Sequence, residues 1–319
     1  MAISIQRQTG RLLAGRAMQA VTVAGLVGVL SFALVRMLPG DMALRIAASR
    51  YGPDLLSGTA ADDVRAELGL DQPLALQLAD WLGRLVRFDL GNSLVSGQPV
   101  IDELAVQLGY SLWLAGFALA LSVAMAVPIG LIAGLSAGRW PDRAALTGAI
   151  LLRALPAFVT GLCLIILFSV WLGWLPPAGF GTWRELTLPA LTLALGLAAL
   201  SSRVVRDSMV AVAASPYFAF ARVKGLPERT VVMRHGLRNG AIPVVSLLGL
   251  QLIYLVEGVV VVESLFAYPG IGHALVHAIF ARDVPMIQGT ALVMGLVFVA
   301  VNMLVDLACA ALDPRQAAR

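Results

Sequence analysis

Six separate stretches of this chain are apolar for long enough to cross a bilayer as helices, which rules out an ordinary soluble fold. A spanning helix needs ~20 predominantly apolar residues. The stretches that qualify are 17–35, 108–135, 154–175, 186–202, 241–262 and 286–305. Composition agrees: 59% of residues are hydrophobic and 13% are charged, whereas soluble domains carry about 25% charged residues. The expected fold class is an all-α polytopic membrane protein with six transmembrane helices. The second stretch is long enough to tilt, and Pro128 and Gly130 mark a place for a kink. The fourth is short by itself and continues past Arg203 as a helix emerging into water. The first is read as a retained span, because Arg36-Met37-Leu38-Pro39-Gly40-Asp41 offers no small-x-small cleavage site.

The segments between these stretches alternate in charge, as the positive-inside rule requires. The N-terminal tail carries Arg7, Arg11 and Arg16 without an acid, and the next segment, 40–107, has ten acids against five arginines. Arg139, Arg143 and Arg153 follow the second span, 176–185 is nearly neutral, and 201–243 holds seven Lys/Arg against Asp207 and Glu228. This pattern puts both termini in the cytoplasm. It divides the chain into a tail and first span (1–39), an extracytoplasmic helical insertion (40–107), and a core transmembrane domain (108–319) with a loop at 203–240. Within the insertion, residues 73–88 place Leu74, Leu78, Trp81, Leu82 and Leu85 on one stripe of an amphipathic helix. Such a helix serves either as a lid or as a surface for an extracytoplasmic partner.

Several chemistries find no support. The one lysine, Lys224, lies in no G-x-x-x-x-G-K-[ST] loop, so nothing here holds a nucleotide phosphate as a P-loop does. There is no Ser-His-Asp order and no H-E-x-x-H run. Cys163 and Cys309 lie within apolar stretches and read as small packing residues. The net charge of +4 sits on the segments that share one membrane face, which does not indicate nucleic acid. If the chain takes part in active transport, either ATP is hydrolysed on another chain or an ion gradient drives it.

The basic segment 201–243 is punctuated into short helices. Ser215 is positioned to cap a helix that begins at Pro216, whose fixed φ suits a first helical position, and Gly225 ends that helix. The helix presents Tyr217, Phe218 and Phe220 together with Ala221, Arg222 and Lys224. A second helix starts near Pro227, with Glu228 in its first turn and Arg234 and Arg238 near its end, as the helix dipole favours. A rigid element of this kind can pass on a rigid-body motion, or it can lie on anionic lipid as a basic interfacial helix.

In this segment, 217–226 followed by His235-Gly236-Leu237-Arg238-Asn239 and Ile242-Pro243 resembles the EAA loop of importer-type ABC permeases. Within that class the chain is similar to the first permease of the peptide, nickel and opine uptake family. The resemblance extends over Leu38-Pro39-Gly40-Asp41, Asp89-Leu90-Gly91-Asn92-Ser93, Glu263 to Gly270, Ala278 to Asp283 and Leu312-Asp313-Pro314-Arg315. It departs at Ala219-Phe220, where relatives carry Arg-Thr, and at Gly236, where they carry Ala. The resemblance implies a type I ABC importer permease fold, with 217–225 as a coupling helix in a groove of a cytoplasmic ATPase. It further implies no cofactor on this chain, with ATP and Mg held by two ATPase subunits. A second homologous permease and an extracytoplasmic substrate-binding protein complete the expected assembly in a bacterial cytoplasmic membrane.

Candidates for the solute path come from polar groups inside spans. Glu257, well inside the fifth stretch, is either a path carboxylate or a group bonded to a neighbouring helix, and Gln251 and Tyr254 on the same stretch join it. Glu263 reads as structural, orienting the Tyr268-Pro269-Gly270 turn. Asp306 reads as water-accessible, and Arg36 and Arg153 as span-end residues that snorkel. His273 and His277 share a helical face at the spacing of paired metal ligands, and without a third ligand they read as solvated. Peptides are the first expectation for the cargo, while the short 176–185 turn looks more like the nickel and metal-chelate branch. An ion-gradient-driven transporter is the alternative from another class, and a membrane-embedded enzyme ranks behind it.

Overall fold

The computed structural model describes residues 2–37, 41, 43–44, 47, 58–67, 69, 71–224, 227, 230, 247, 251–252, 255 and 258–312. These residues are helical or connecting, with an isolated bridge between Asn92 and Pro99 as the only strand-like pairing among them. In chain order the helices are α1 (Ala2–Met37), α2 (Gly58–Glu67), α3 (Leu74–Val86), α4 (Val100–Leu135), α5 (Trp140–Ala154), α6 (Ala157–Leu164), α7 (Trp183–Ala213), α8 (Pro216–Val223), α9 (Ile271–Ala281) and α10 (Val284–Leu312). A π-helical turn, Ile165–Trp171, extends α6.

Four of these helices are long and apolar enough to cross a membrane, in the segments Ala14–Ala33, Val100–Leu135, Trp183–Ala213 and Val284–Leu307. A fifth span is reached if α5 and the α6–π segment together count as one. Most of the predicted span 241–262 lies outside the described residues, so six spans are not reached among them. The α4 helix begins eight residues before the predicted boundary because Pro99 and the first-turn acids Asp102 and Glu103 favour a start there. It runs through Pro128 as one helix. The start of α7 is set by a capping box in which the Thr182 backbone N–H donates to Glu185 at 2.6 Å. As anticipated, α7 carries on past Arg203 to Ala213.

The third predicted span starts a little later than expected. α5 and α6 meet at a break with a 106° bend, and the helix beyond it runs from Ala157 through the π-helical turn to Trp171. Pro156 lacks an N–H and drives Leu155 into extended backbone, with φ −87° and ψ 130°. The segment before the break, read from sequence as part of a charged connection, is the helix α5.

The chain divides into two compact units. In the first (1–111 and 269–300), α3 packs along α1, with the Trp81 indole donating to the Gly28 carbonyl at 3.2 Å. Leu90, Val100, Leu104, Ile271, Met286 and Leu292 form its main core. Asp283 ties the 92–94 loop to the start of α10: it accepts from the Ser93 hydroxyl and from the backbone N–H groups of Leu94 and Met286. In the second unit (112–268 and 301–319), α7 is the most enclosed helix, packed against α5 and α6. Apolar side chains such as Leu112, Trp113, Phe117, Ile132, Val170 and Trp171 remain exposed, as a lipid-facing surface requires.

Candidate functional site

The helix α8 grows directly out of α7. Its turn is closed by Ser215, whose backbone N–H and hydroxyl both donate to the Val212 carbonyl, and by the Phe218 N–H donating to Ser215 O at 3.1 Å. The sequence expectation gave the Ser215 hydroxyl to the new helix. Its proton goes back to the last turn of α7, whose final carbonyls lack helical partners, and a hydroxyl that donates there still has lone pairs to accept.

The predicted aromatic face divides in two. Phe218 is fully buried among Met209, Val212, Leu131 and Ala213, so it is an anchor and is not presented outward. Phe220 and Val223 are exposed, and the Lys224 ammonium lies 4.8 Å from the Phe220 ring centroid. Residues two apart on a helix point about 200° apart, which is why two neighbouring aromatics serve opposite sides. Tyr217, Ala221 and Arg222 are part of the α8 backbone, while Gly225, Arg234 and Arg238 lie outside the described residues.

Two further features root α8, and sequence reasoning missed both. First, α4 meets α7 at backbone contact: a Cβ on Gly130 would lie 2.6 Å from Ser202 O, and one on Gly134 2.8 Å from Arg206 O. The G-x-x-x-G spacing of Gly130 and Gly134 suits such a close approach of helices. Second, Arg206 of α7 forms a fork onto Asp142, with Nε and Nη2 at 2.9 and 2.8 Å from its two oxygens. The Gly138 N–H donates to the same carboxylate at 2.7 Å, and Arg206 also reaches Asp207 at 2.8 Å. Asp142 is 2% exposed, so removing either partner leaves a poorly solvated charge. Asp142→Arg alone and Arg206→Asp alone are each expected to lower complex stability and uptake, and the swap Asp142→Arg/Arg206→Asp to restore part of both. Thermal melting of the purified complex checks this, and a double variant no better than the worse single one would refute the pairing.

Of the path candidates, Gln251 is described and fully buried; its amide nitrogen donates to Leu197 O at 2.8 Å and to Ser201 Oγ at 2.7 Å. Glu257 and Tyr254 lie outside the described residues. Gln251 lines a cavity of about 330 Å³ with Arg153, Leu155, Thr160, Thr192 and Leu197 among its other walls. Glu263 is fully buried, and its backbone carbonyl accepts the Tyr268 N–H at 2.9 Å. The His273 and His277 rings are 4.4 Å apart, edge to face. Burial, and then His277, holds His273 below the usual imidazole range. No group of three or more potential metal ligands occurs among the described residues.

Solved structures of ABC transporters share this fold. An amino acid ABC transporter crystallised with histidines matches with a TM-score of 0.52 and 18% identity, covering 66% of this chain and 94% of its own. The inward-facing MetNI methionine ABC transporter matches with a TM-score of 0.56 and 17% identity, covering 67% and 98%. The chain belongs to the family of binding-protein-dependent transport system inner membrane components, whose pattern it matches over residues 126–318. The glutathione transport system permease protein GsiC of Escherichia coli K12 is 43% identical over 91% of this chain and 93% of its own length. The corresponding protein of Pectobacterium atrosepticum is 42% identical over the same shares. The chain is thus a permease subunit of an ABC importer, a transport component, and the ion-gradient alternative falls away.

Proposed function

We propose that this chain forms half of a path that carries small peptides, glutathione among them, into the cytoplasm. It does so beside a second, similar permease. In this reading it has six spans, both termini are cytoplasmic, and 40–107 faces outward; the charge alternation between spans supports that orientation. Two cytoplasmic ATPases hold ATP and Mg, and a binding protein delivers the solute from outside. The observation that carries the coupling role is α8, with Phe218 locked inward and Phe220, Val223 and Lys224 turned out. An outward aromatic and cationic face on a rooted helix suits a groove on a partner. Tyr217, Ala221, Arg222, Gly225, Arg234 and Arg238 are proposed to complete that contact.

The glutathione permeases among the relatives favour a peptide cargo over the nickel reading prompted by the 176–185 turn. In proteoliposomes, the full complex with its binding protein is expected to import glutathione only when ATP is supplied inside. If the chain alone moved solute down an ion gradient, or the complex ignored ATP, the reading would fail.

A further inference from the structure

The cavity around Gln251 is created by the Pro156 break. Arg153 and Leu155 come from the end of α5, and Ala157 and Thr160 from the start of α6. The other walls are α7, from Thr192 to Leu200, together with Gln251, Leu255 and Gly258. Its volume falls at the small end of ligand-binding sites. Three observations describe the chemistry it accepts.

Gln251 is fully buried, and both its bonds run from the amide nitrogen to oxygens, one of which, Leu197 O, can only accept. That assignment fixes the amide, so Oε1 is the free end, and it has no hydrogen-bond partner among the described residues. A buried acceptor left bare is costly, about 1–3 kcal/mol, and a solute N–H would satisfy it. Arg153 is the one charged side chain among the described lining residues. No hydrogen bond or ion pair engages it among the described residues, unlike Arg206, each of whose three guanidinium nitrogens bonds to Asp142 or Asp207. Finally, Ala157 begins α6, whose first-turn N–H groups add the positive end of a helix to the same wall. The Val159 and Thr160 amides are already directed to Pro156 O, which leaves those of Ala157 and Phe158 as the unbonded first-turn donors.

Among its described residues the lining carries one charged group, the Arg153 guanidinium, and no carboxylate, so a bare divalent cation is repelled and an anion attracted. We propose that this cavity is the carboxylate-recognising subsite of the solute path. Arg153 pairs with a carboxylate of a small zwitterionic peptide, and Gln251 Oε1 accepts one of its N–H groups. This rests on the peptide-import reading above and deepens it: a free metal ion is disfavoured here, and a peptide with a free carboxylate is oriented.

The test uses the assembled complex in lipid nanodiscs, with Cys163 and Cys309 replaced by serine and Thr160→Cys as the reporter; Leu197→Cys is the second reporter should the first impair assembly. Labelling rates are compared for an anionic and a cationic methanethiosulfonate, with Arg153 and with Arg153→Gln. With Arg153 the anionic reagent is expected to be favoured, and Arg153→Gln to reduce that preference about tenfold. S-methylglutathione, which lacks a thiol, is expected to slow labelling in the Arg153 protein. Failure of both reagents to label, or equal preference with and without Arg153, would overturn the proposal and leave Arg153 as a snorkelling residue. So would absence of protection in a complex that imports glutathione, because the cavity would then lie off the path. If the complex imports no glutathione, the cargo reading falls separately, and the charge preference alone decides the subsite.

Discussion

Phe218→Ala is expected to leave a transporter that inserts and assembles but imports its solute at least about tenfold more slowly. The reason is the way α8 is held. An eight-residue helix has no stability of its own in water, so its orientation depends on what it buries. Phe218 is fully buried against Met209, Val212, Leu131 and Ala213, and truncating a buried Phe to Ala costs about 3–5 kcal/mol. At the low end, that shifts the balance between docked and undocked α8 by more than a hundredfold. An undocked α8 cannot pass movement between α7 and whatever grips its outer face. Phe218→Leu keeps most of the apolar volume and is expected to keep most of the uptake. Phe220→Ala is the informative contrast. Phe220 is 60% exposed, so its loss should leave the melting point of the isolated permease unchanged while weakening association with the ATPase. Uptake by Phe218→Ala at the parental rate would refute the anchor.

What could be read ahead of the structure follows from which forces act locally. The long apolar runs were legible because lipid demands them, and α4, α7 and α10 appear where hydropathy puts them. The start of α8 was legible because Pro216 and the Ser215 turn act over neighbouring residues. Its inward-facing Phe218 was obscured, since a basic, punctuated segment suggests an exposed element and nothing local says which aromatic turns back toward α7. The break at Pro156 was overlooked for a different reason. A hydropathy window averages over the pre-proline restriction that sends Leu155 out of helix. Arg153 looked like an ordinary span-end residue, and only the 106° bend brings it onto one wall with Thr160 and Gln251. Asp142 and Arg206 are 64 residues apart, and no sequence period links them.

Gly130→Val is expected to be the most damaging single change in the second unit, and Gly130→Ala is expected to destabilise despite improving helix propensity. In a helix interior, Gly→Ala alone gains about 1 kcal/mol. At Gly130 the added Cβ would stand 2.5 Å from Val205 Cβ and 2.6 Å from Ser202 O. A flexible side-chain tip could move aside, but the Ser202 carbonyl is part of α7, so relief requires the two helices to separate. Overpacking of this kind costs about 1–3 kcal/mol for one methyl group, which exceeds the propensity gain over most of that range; the two further carbons of valine add to it. Gly134 repeats the contact one turn on, with Met209 Cβ at 2.7 Å, so separating the helices at one glycine loosens the other. Gly116 provides the control within the same helix: a Cβ there meets nothing within 4 Å, and Gly116→Ala should be neutral or stabilising. Melting of the detergent-solubilised complex, followed by size exclusion, should rank Gly116→Ala at or above the parent, Gly130→Ala several degrees below it, and Gly130→Val lowest or absent from the assembled fraction. Equal melting of Gly130→Ala and Gly116→Ala would mean that α4 and α7 are not in backbone contact. The Arg206 clamp and the Phe218 anchor would then have to hold α8 without the rigid helix pair beneath it.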